Sequence, residues 1–328
     1  MCTAITFSAA GYYFGRNLDH EEGYGECVAF VPRAFPLPYK HEKLQTHHYA
    51  MIGMAKICDG YPLFYDGVNE YGLAVAALNF PGNAYYGDVC EDKLNLAPYE
   101  LIPKILSSAK TTEEAVTLIK NINLVATPYK KDLPLSELHF LIADKNSSVV
   151  AEPMEDGIAV WENRIGVLTN NPPFPHHIEN LKKYLHLSPK EAKGGLSERL
   201  NLSPNSRGTG ALGLPGDSTS ESRFVRAVFT KLNALTPDTE PGSVNQFFHI
   251  LSAVEQVEGC VRIGDKAVRT QYSCCMNLDT GVYYYKTYSN SKIYAVSMLL
   301  EDADKGEIVN YPLLWEEKIH AENQKIQP

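Results

Sequence analysis

The chain has 328 residues, with 30 Lys+Arg against 39 Asp+Glu, a formal net charge of −9, and 44% hydrophobic and 21% charged residues. That is ordinary globular composition, which excludes disorder, and the acidic balance excludes a basic face for nucleic acid. No apolar run approaches a membrane span, and the opening MCTAITFSAAGYYFGRNLDHEEGYG lacks the basic and apolar regions of a secretory signal, so the expected location is the cytoplasm with no membrane or nucleic-acid partner.

Taken in chain order, the first third reads mostly as strands. TAITF (3–7) and YYFGRN (12–17) flank a turn at Ala10-Gly11, and 26–32, 48–55 and 73–80 follow. Apolar residues then recur at helical spacing over 97–109 and 111–122, with Thr111 or Thr112 as cap and Glu113 and Glu114 in the first turn. A polar, proline-bearing loop at 125–137 leads back to strands at 138–144, 148–153, 157–163 and 165–170. Helical patterns return at 175–185, 218–235 and 243–257, with Asp217 or Ser218 as cap of the second. The chain closes with strands at 269–275, 281–288 and 293–299, and the polar end, 315–328, reads as a loose tail. Strands joined by short turns such as 144–147 pair antiparallel, and the helices must cover their outer faces. The expected fold is therefore α+β, a four-layer αββα sandwich of two antiparallel sheets between helical layers, in one domain over 1–328.

The seven cysteines are odd in number and scattered, which is no disulfide framework. Cys274 and Cys275 lie in the strand-like TQYSCCMNL and read as packed thiols rather than a redox pair. His47-His48 and His176-His177 are adjacent pairs whose side chains diverge, so they read as surface or packing residues, not metal ligands.

Cys2 is the chemically distinctive residue. Removal of Met1 would put a thiol and a free α-amine on one residue, and such an amine titrates near ~8, within reach of general-base work. This is the N-terminal form of the nucleophile-plus-base arrangement. Position alone favours a small residue at a frayed chain end. The strand-like run after Cys2, however, holds it in a sheet, and a tight hairpin returns Arg16 and Asp19 alongside it. A fixed positive charge at Arg16 lowers a thiol pKa, and Asp19 can accept hydrogen bonds from the α-ammonium.

MCTAITF, FGRNLD, GLAVAALNFPG, GVLTNNPPF and GLPGDSTSESRF together resemble the choloylglycine hydrolase family. This group of N-terminal nucleophile hydrolases contains bile salt hydrolases and penicillin V acylases. The resemblance runs in order from the first residue to about position 300 and is nearest to the bile salt hydrolases. It implies the αββα fold, Cys2 as nucleophile after loss of Met1, Arg16 and Asp19 beside it, and Arg223 as a further active-site arginine. It also implies Asn79 and Asn171, the second Asn of TNNP, as oxyanion donors. It implies a homotetramer as well, and no metal or organic cofactor.

Asn at position 79, where penicillin V acylases tend to carry Tyr, favours conjugated bile salts as the substrate. An apolar wall for a steroid is expected from Leu18, His20 and Tyr24, from Ile57 through Tyr65, and from Leu133 and Leu135 in the segment ending at Leu138. The resemblance thus implies hydrolysis through an acyl-thioester. Two alternatives remain: action on penicillin V or another N-acyl amide, and a non-catalytic binder of amphiphiles. A retained Met1 would favour the binder, because a blocked amine is no base.

Overall fold

A computed structural model describes residues 1–131, 133–193, 197 and 199–323, with strands and helices numbered here along the chain. Position 132 of the expected loop and positions 324–328 of the expected tail lie outside the described residues.

The described residues form two large antiparallel sheets. The first runs β13 (Val167–Leu168), β1 (Cys2–Ala9), β2 (Gly11–His20), β15 (Lys266–Asn277), β16 (Val282–Thr287), β17 (Asn290–Ser297), with β14 (Val261–Ile263) on β15. The second runs β12 (Gly157–Glu162), β11 (Ser148–Met154), β10 (Leu138–Ala143), β7 (Ala74–Asn79), β6 (Asp66–Asn69), β4 (Met51–Cys58), β3 (Cys27–Val31), β18 (Val309–Pro312), with β5 (Tyr61–Phe64) on β4. A small parallel pair joins β8 (Leu94–Leu96) to β9 (Ile122–Leu124).

Side-chain alternation explains the layers. In the second sheet, Val28, Phe30, Ile52, Met54 and Leu141 face the first sheet. Their neighbours Ala29, Val31, Met51, Ala55 and Ile142 face α1 (Leu101–Ser108) and α2 (Thr112–Ile119). The first sheet buries its other face under α4 (Ser220–Asn233) and α5 (Glu240–Ser252), with α3 (Phe174–Leu181) alongside α4. The first sheet is covered on both faces, so most of β1 and β2 is buried without alternation, polar residues such as Arg16, Asn17 and Asp19 included. This is the expected α+β sandwich.

Several boundaries differ from expectation. The strand expected at 165–170 shrinks to β13, because Gly166 turns at φ 61° and Asn170 spends its main-chain N–H on Ser220 Oγ. Thr219, not Asp217 or Ser218, caps α4 by accepting from Ser222 N at 3.3 Å. Asp217 instead binds the Thr219 hydroxyl and main-chain N–H. α5 begins earlier, behind its cap Thr239, and ends at Ser252. The expected tail 315–328 is anchored at its start: Trp315 packs on the inter-sheet core and Glu316 O accepts from Asn290 Nδ2 at 2.9 Å.

Candidate active site

The β1–β2 hairpin sets Cys2 opposite Leu18 and Ala4 opposite Arg16. Directly paired residues share a face, so the Cys2, Leu18 and Arg16 side chains all point between the sheets. Asn17 and Asp19 point the other way, towards the helices: Asn17 Nδ2 donates to Leu251 O at 3.0 Å. Arg16 and Asp19 thus flank Cys2 from opposite sides of one strand.

Cys2 is buried, and its main chain is held at both ends. Its N–H donates to Asn170 Oδ1 at 2.8 Å, while Arg223 Nη1 donates to Cys2 O. Arg223 also donates to Thr3 Oγ1 and Asn170 Oδ1, each at 2.8 Å, and is itself fully buried. Asn170 Nδ2 donates to Asn79 O at 2.7 Å, which links the ends of β7 and β13 across the gap between sheets. Asn79 is exposed at the end of its strand.

Asn170, not the expected Asn171, therefore meets Cys2. Asn171 Nδ2 donates to Pro81 O instead, on the exposed side. The cause is alternation: Leu168 pairs with Ala4, so the residue two further on continues the face of Cys2.

Met1 extends the hairpin by one step. Its ammonium donates to Asp19 O at 2.7 Å, and Asp19 N–H donates to Met1 O at 2.9 Å. Asp19 is fully buried; Oδ1 accepts from Thr270 Oγ1 at 2.6 Å, while Oδ2 has no partner among the described residues. Burial raises the Asp19 carboxyl above its ordinary range, against the pull of Arg223, Thr270, the N-terminal ammonium and Arg16.

Arg16 is the other buried cation. Nη1 donates to Ala77 O at 2.5 Å and to Tyr65 O at 3.3 Å, in the opposite sheet, whereas Nη2 has no partner among the described residues. Burial disfavours its charge, but the surrounding Cys2, Tyr272, Asp66 and Cys274 outweigh burial and raise its pKa. For Arg223 burial wins over Asp19 and Cys2, and its pKa falls. Sequence reasoning missed Asp66, which sits fully buried between the sheets and accepts from Tyr272 and Tyr283 hydroxyls, both at 2.6 Å. Its segment Asp66-Gly67-Val68-Asn69 is too polar to read as a strand.

The expected apolar wall is divided. Leu18 is buried on the Cys2 face. His20 and Tyr24 make an edge contact at 5.0 Å, and Lys56 Nζ lies 5.9 Å from the exposed Tyr24 ring. Tyr65 packs against the inter-sheet core. Leu133 is exposed and Leu135 half-buried in the loop that enters β10, where Leu138 pairs with Asn79. Ile57 departs from expectation: it shares the face of Ala55 and packs in the outer layer under the helices, away from Cys2.

The chain matches the family described as linear amide C-N hydrolases, choloylglycine hydrolase family, over residues 2–311. It is 47% identical over 324 residues to a bile salt hydrolase/transferase of Lactiplantibacillus plantarum, covering 98% of this chain and 100% of that one. Among solved structures, the conjugated bile acid hydrolase of Clostridium perfringens superposes with a TM-score of 0.92 at 36% identity, covering 98% of this chain and 100% of that one. The penicillin V acylase of Agrobacterium tumefaciens shares the fold, with a TM-score of 0.75 at 18% identity over 94% of this chain and 90% of that one.

Proposed function

Because the chain belongs to the choloylglycine hydrolase family of linear amide C–N hydrolases, we propose that it cleaves the amide bond of glycine- and taurine-conjugated bile salts with Cys2 as nucleophile. The observation that carries this reading is the hold on Cys2: Asn170 takes its nitrogen, Arg223 its carbonyl, and Arg16 shares the face of its thiol. A residue held at both ends and buried does not fray, which supports a chemical role for it.

Loss of Met1 turns the Cys2 amide nitrogen into an amine with additional hydrogens. Asn170 Oδ1 already accepts one, and the unmet Asp19 Oδ2 matches a second. The free Nη2 of Arg16 matches a thiolate. The thiolate attacks the amide carbonyl, and the oxyanion that forms is stabilised by Asn79 and by the remaining Asn170 N–H, each donor of this kind worth about 2.7–4 kcal/mol of barrier. The α-ammonium gives its proton to the leaving nitrogen, the C–N bond breaks, and an acyl-thioester remains. Water then attacks the thioester, giving its proton to the α-amine, and the thiolate leaves.

The steroid supplies apolar area worth about 25 cal/mol per Å² buried, against Leu18, Tyr65 and the loop bearing Leu133 and Leu135. An amine replacing water in the second step would form a new amide. The reading includes a cytoplasmic homotetramer, to be checked by sedimentation.

The test is release of glycine or taurine from glycocholate and taurocholate, with penicillin V alongside and Cys2→Ala as control. Release lost in Cys2→Ala, from protein whose intact mass lacks Met1, supports the reading. Activity on penicillin V alone refutes the substrate. Binding of bile salts without turnover by processed, reduced protein would favour the amphiphile binder.

A further inference from the structure

Behind Asn79 and Asn170 lies a buried pair that the chemistry above does not use. His139, on β10, is fully buried. Its Nε2 donates to Thr169 O at 2.8 Å, and its Nδ1 lies 3.2 Å from Glu152 Oε1. Its ring stacks on Phe80, with centroids 4.3 Å apart and planes 6° from parallel. Thr169 immediately precedes Asn170, and Phe80 immediately follows Asn79. One imidazole therefore touches both segments that carry the oxyanion donors.

The ring is itself locked. Glu152, fully buried on β11, accepts from Phe174 N at 2.9 Å and from Trp161 Nε1 at 3.1 Å besides facing His139. Thr169 O can only accept, so Nε2 carries the donated hydrogen, and with Nδ1 against Glu152 the imidazole has one orientation. The Asn170 main chain is fixed as well: His177 Nε2 donates to Asn170 O at 2.9 Å, and Asn170 N–H donates to Ser220 Oγ at 2.8 Å. His177 stacks on Phe224 at 4.8 Å and is kept neutral, because burial lowers its pKa.

We propose that His139, locked by Glu152, is a positioning residue that sets the spacing of Asn79 and Asn170. The inference rests on the oxyanion role given to those two asparagines above. Donors act on a developing oxyanion only within a narrow range of distances, and a misplacement of about 1 Å costs on the order of 100-fold in rate. Besides its bond to Asn170, Cys2 is held by Arg223 and by the pairing of β1 with β2, which keep the thiol in place. Loss of His139 should therefore lower kcat and spare both KM and the thiol.

The experiment compares wild type with His139→Leu, His139→Gln and Glu152→Gln. Each is assayed with glycocholate and with penicillin V, and the rate of Cys2 alkylation by iodoacetamide is measured in parallel. His139→Leu should lose about 100-fold in kcat, with KM and alkylation changed by no more than about twofold. His139→Gln, whose amide can still donate to Thr169 O, should recover about tenfold of that loss. A folded His139→Leu protein with unchanged kcat overturns the proposal. So does alkylation that falls in step with kcat, or a Gln variant no better than Leu. Should His139→Leu fail to fold, Glu152→Gln decides: lower kcat with unchanged alkylation supports the proposal, and unchanged kcat overturns it. A wild type active on penicillin V but inert on glycocholate refutes only the bile salt reading, and the ratios are then read on penicillin V. A processed wild type inert on both overturns the two together.

Discussion

Lys231 shows how burial converts a single side chain into a pH dependence. It lies on α4, and its ammonium donates to Thr6 Oγ1 at 3.0 Å and to the carbonyl oxygens of Ile165 and Gly166. Burial lowers its pKa from 10.5 to about 8. Between those values the unfolded chain binds the proton more often than the folded one, so this residue makes stability rise with pH across that window. Wild type should gain about 2 kcal/mol relative to Lys231→Met between about pH 7.5 and about pH 10, by denaturant titration of both. A difference that stays constant with pH would mean that the three acceptors hold the ammonium charged. The same scale marks the limit of sequence reading. Cys2, Arg16, Asp19 and Arg223 stand in distinctive local motifs, and the fold gathers them. Asn170 and Asn171 are chemically identical neighbours, and only the pairing of Leu168 with Ala4 decides which faces Cys2. His139, Glu152 and Asp66 each look like an ordinary strand or turn residue until the opposite sheet supplies their partners.

Among the elements, the hairpin that carries Cys2 depends on a close approach at Gly15. A Cβ there would lie 2.0 Å from Cys274 O, on the adjacent strand β15, and the carbonyl belongs to the backbone, which cannot swing away. Gly15→Ala should cost at least about 1–3 kcal/mol, the usual penalty of overpacking, and should cut turnover by displacing Arg16, the next residue. Thermal unfolding and kcat measured on the same preparation check both effects; a variant with unchanged melting would show that β15 yields freely. Most strands and helices were legible because their periodicity is strong or their apolar runs long. The short β5, β6 and β18 were not. Their stability comes from the neighbouring strands rather than from their own composition, and tertiary pairing overrides weak local preference. The α4 cap was misplaced by one or two residues, because Asp217, Ser218 and Thr219 are all good capping residues and sequence does not rank them.

For the whole molecule, the C-terminal segment is a strap. β18 adds an edge strand to the second sheet through β3, and the chain then crosses to the edge of the first. There Leu314 O accepts from Thr287 Oγ1 at 3.0 Å, and Glu317 Oε2 accepts from Ser291 Oγ at 2.7 Å. Leu313, 6% exposed, plugs the inter-sheet core between the two. Leu313→Ala should destabilise by about 2–5 kcal/mol, whereas truncation after His320 should change stability by no more than about 0.5 kcal/mol. Urea midpoints of the two proteins separate the cases, and equal midpoints would mean that the strap adds nothing. The layered architecture was legible from the order of strand and helix blocks. The strap was not, because the polar run after Trp315 reads as a tail, although Val309, Tyr311, Leu313 and Trp315 all pack on the core. Among the described residues, no helix is long and apolar enough to cross a membrane.

The hydrogen bond from the Cys2 nitrogen to Asn170 Oδ1 also constrains how this gene can be rearranged. Under the proposed mechanism that nitrogen must end as an amine, so anything joined upstream and left in place turns the general base into an amide. A partner domain or an affinity handle can be appended only beyond the strap, downstream of Glu317. Recombination that freely shuffles domains on either side of most enzymes is thus open here at one end only.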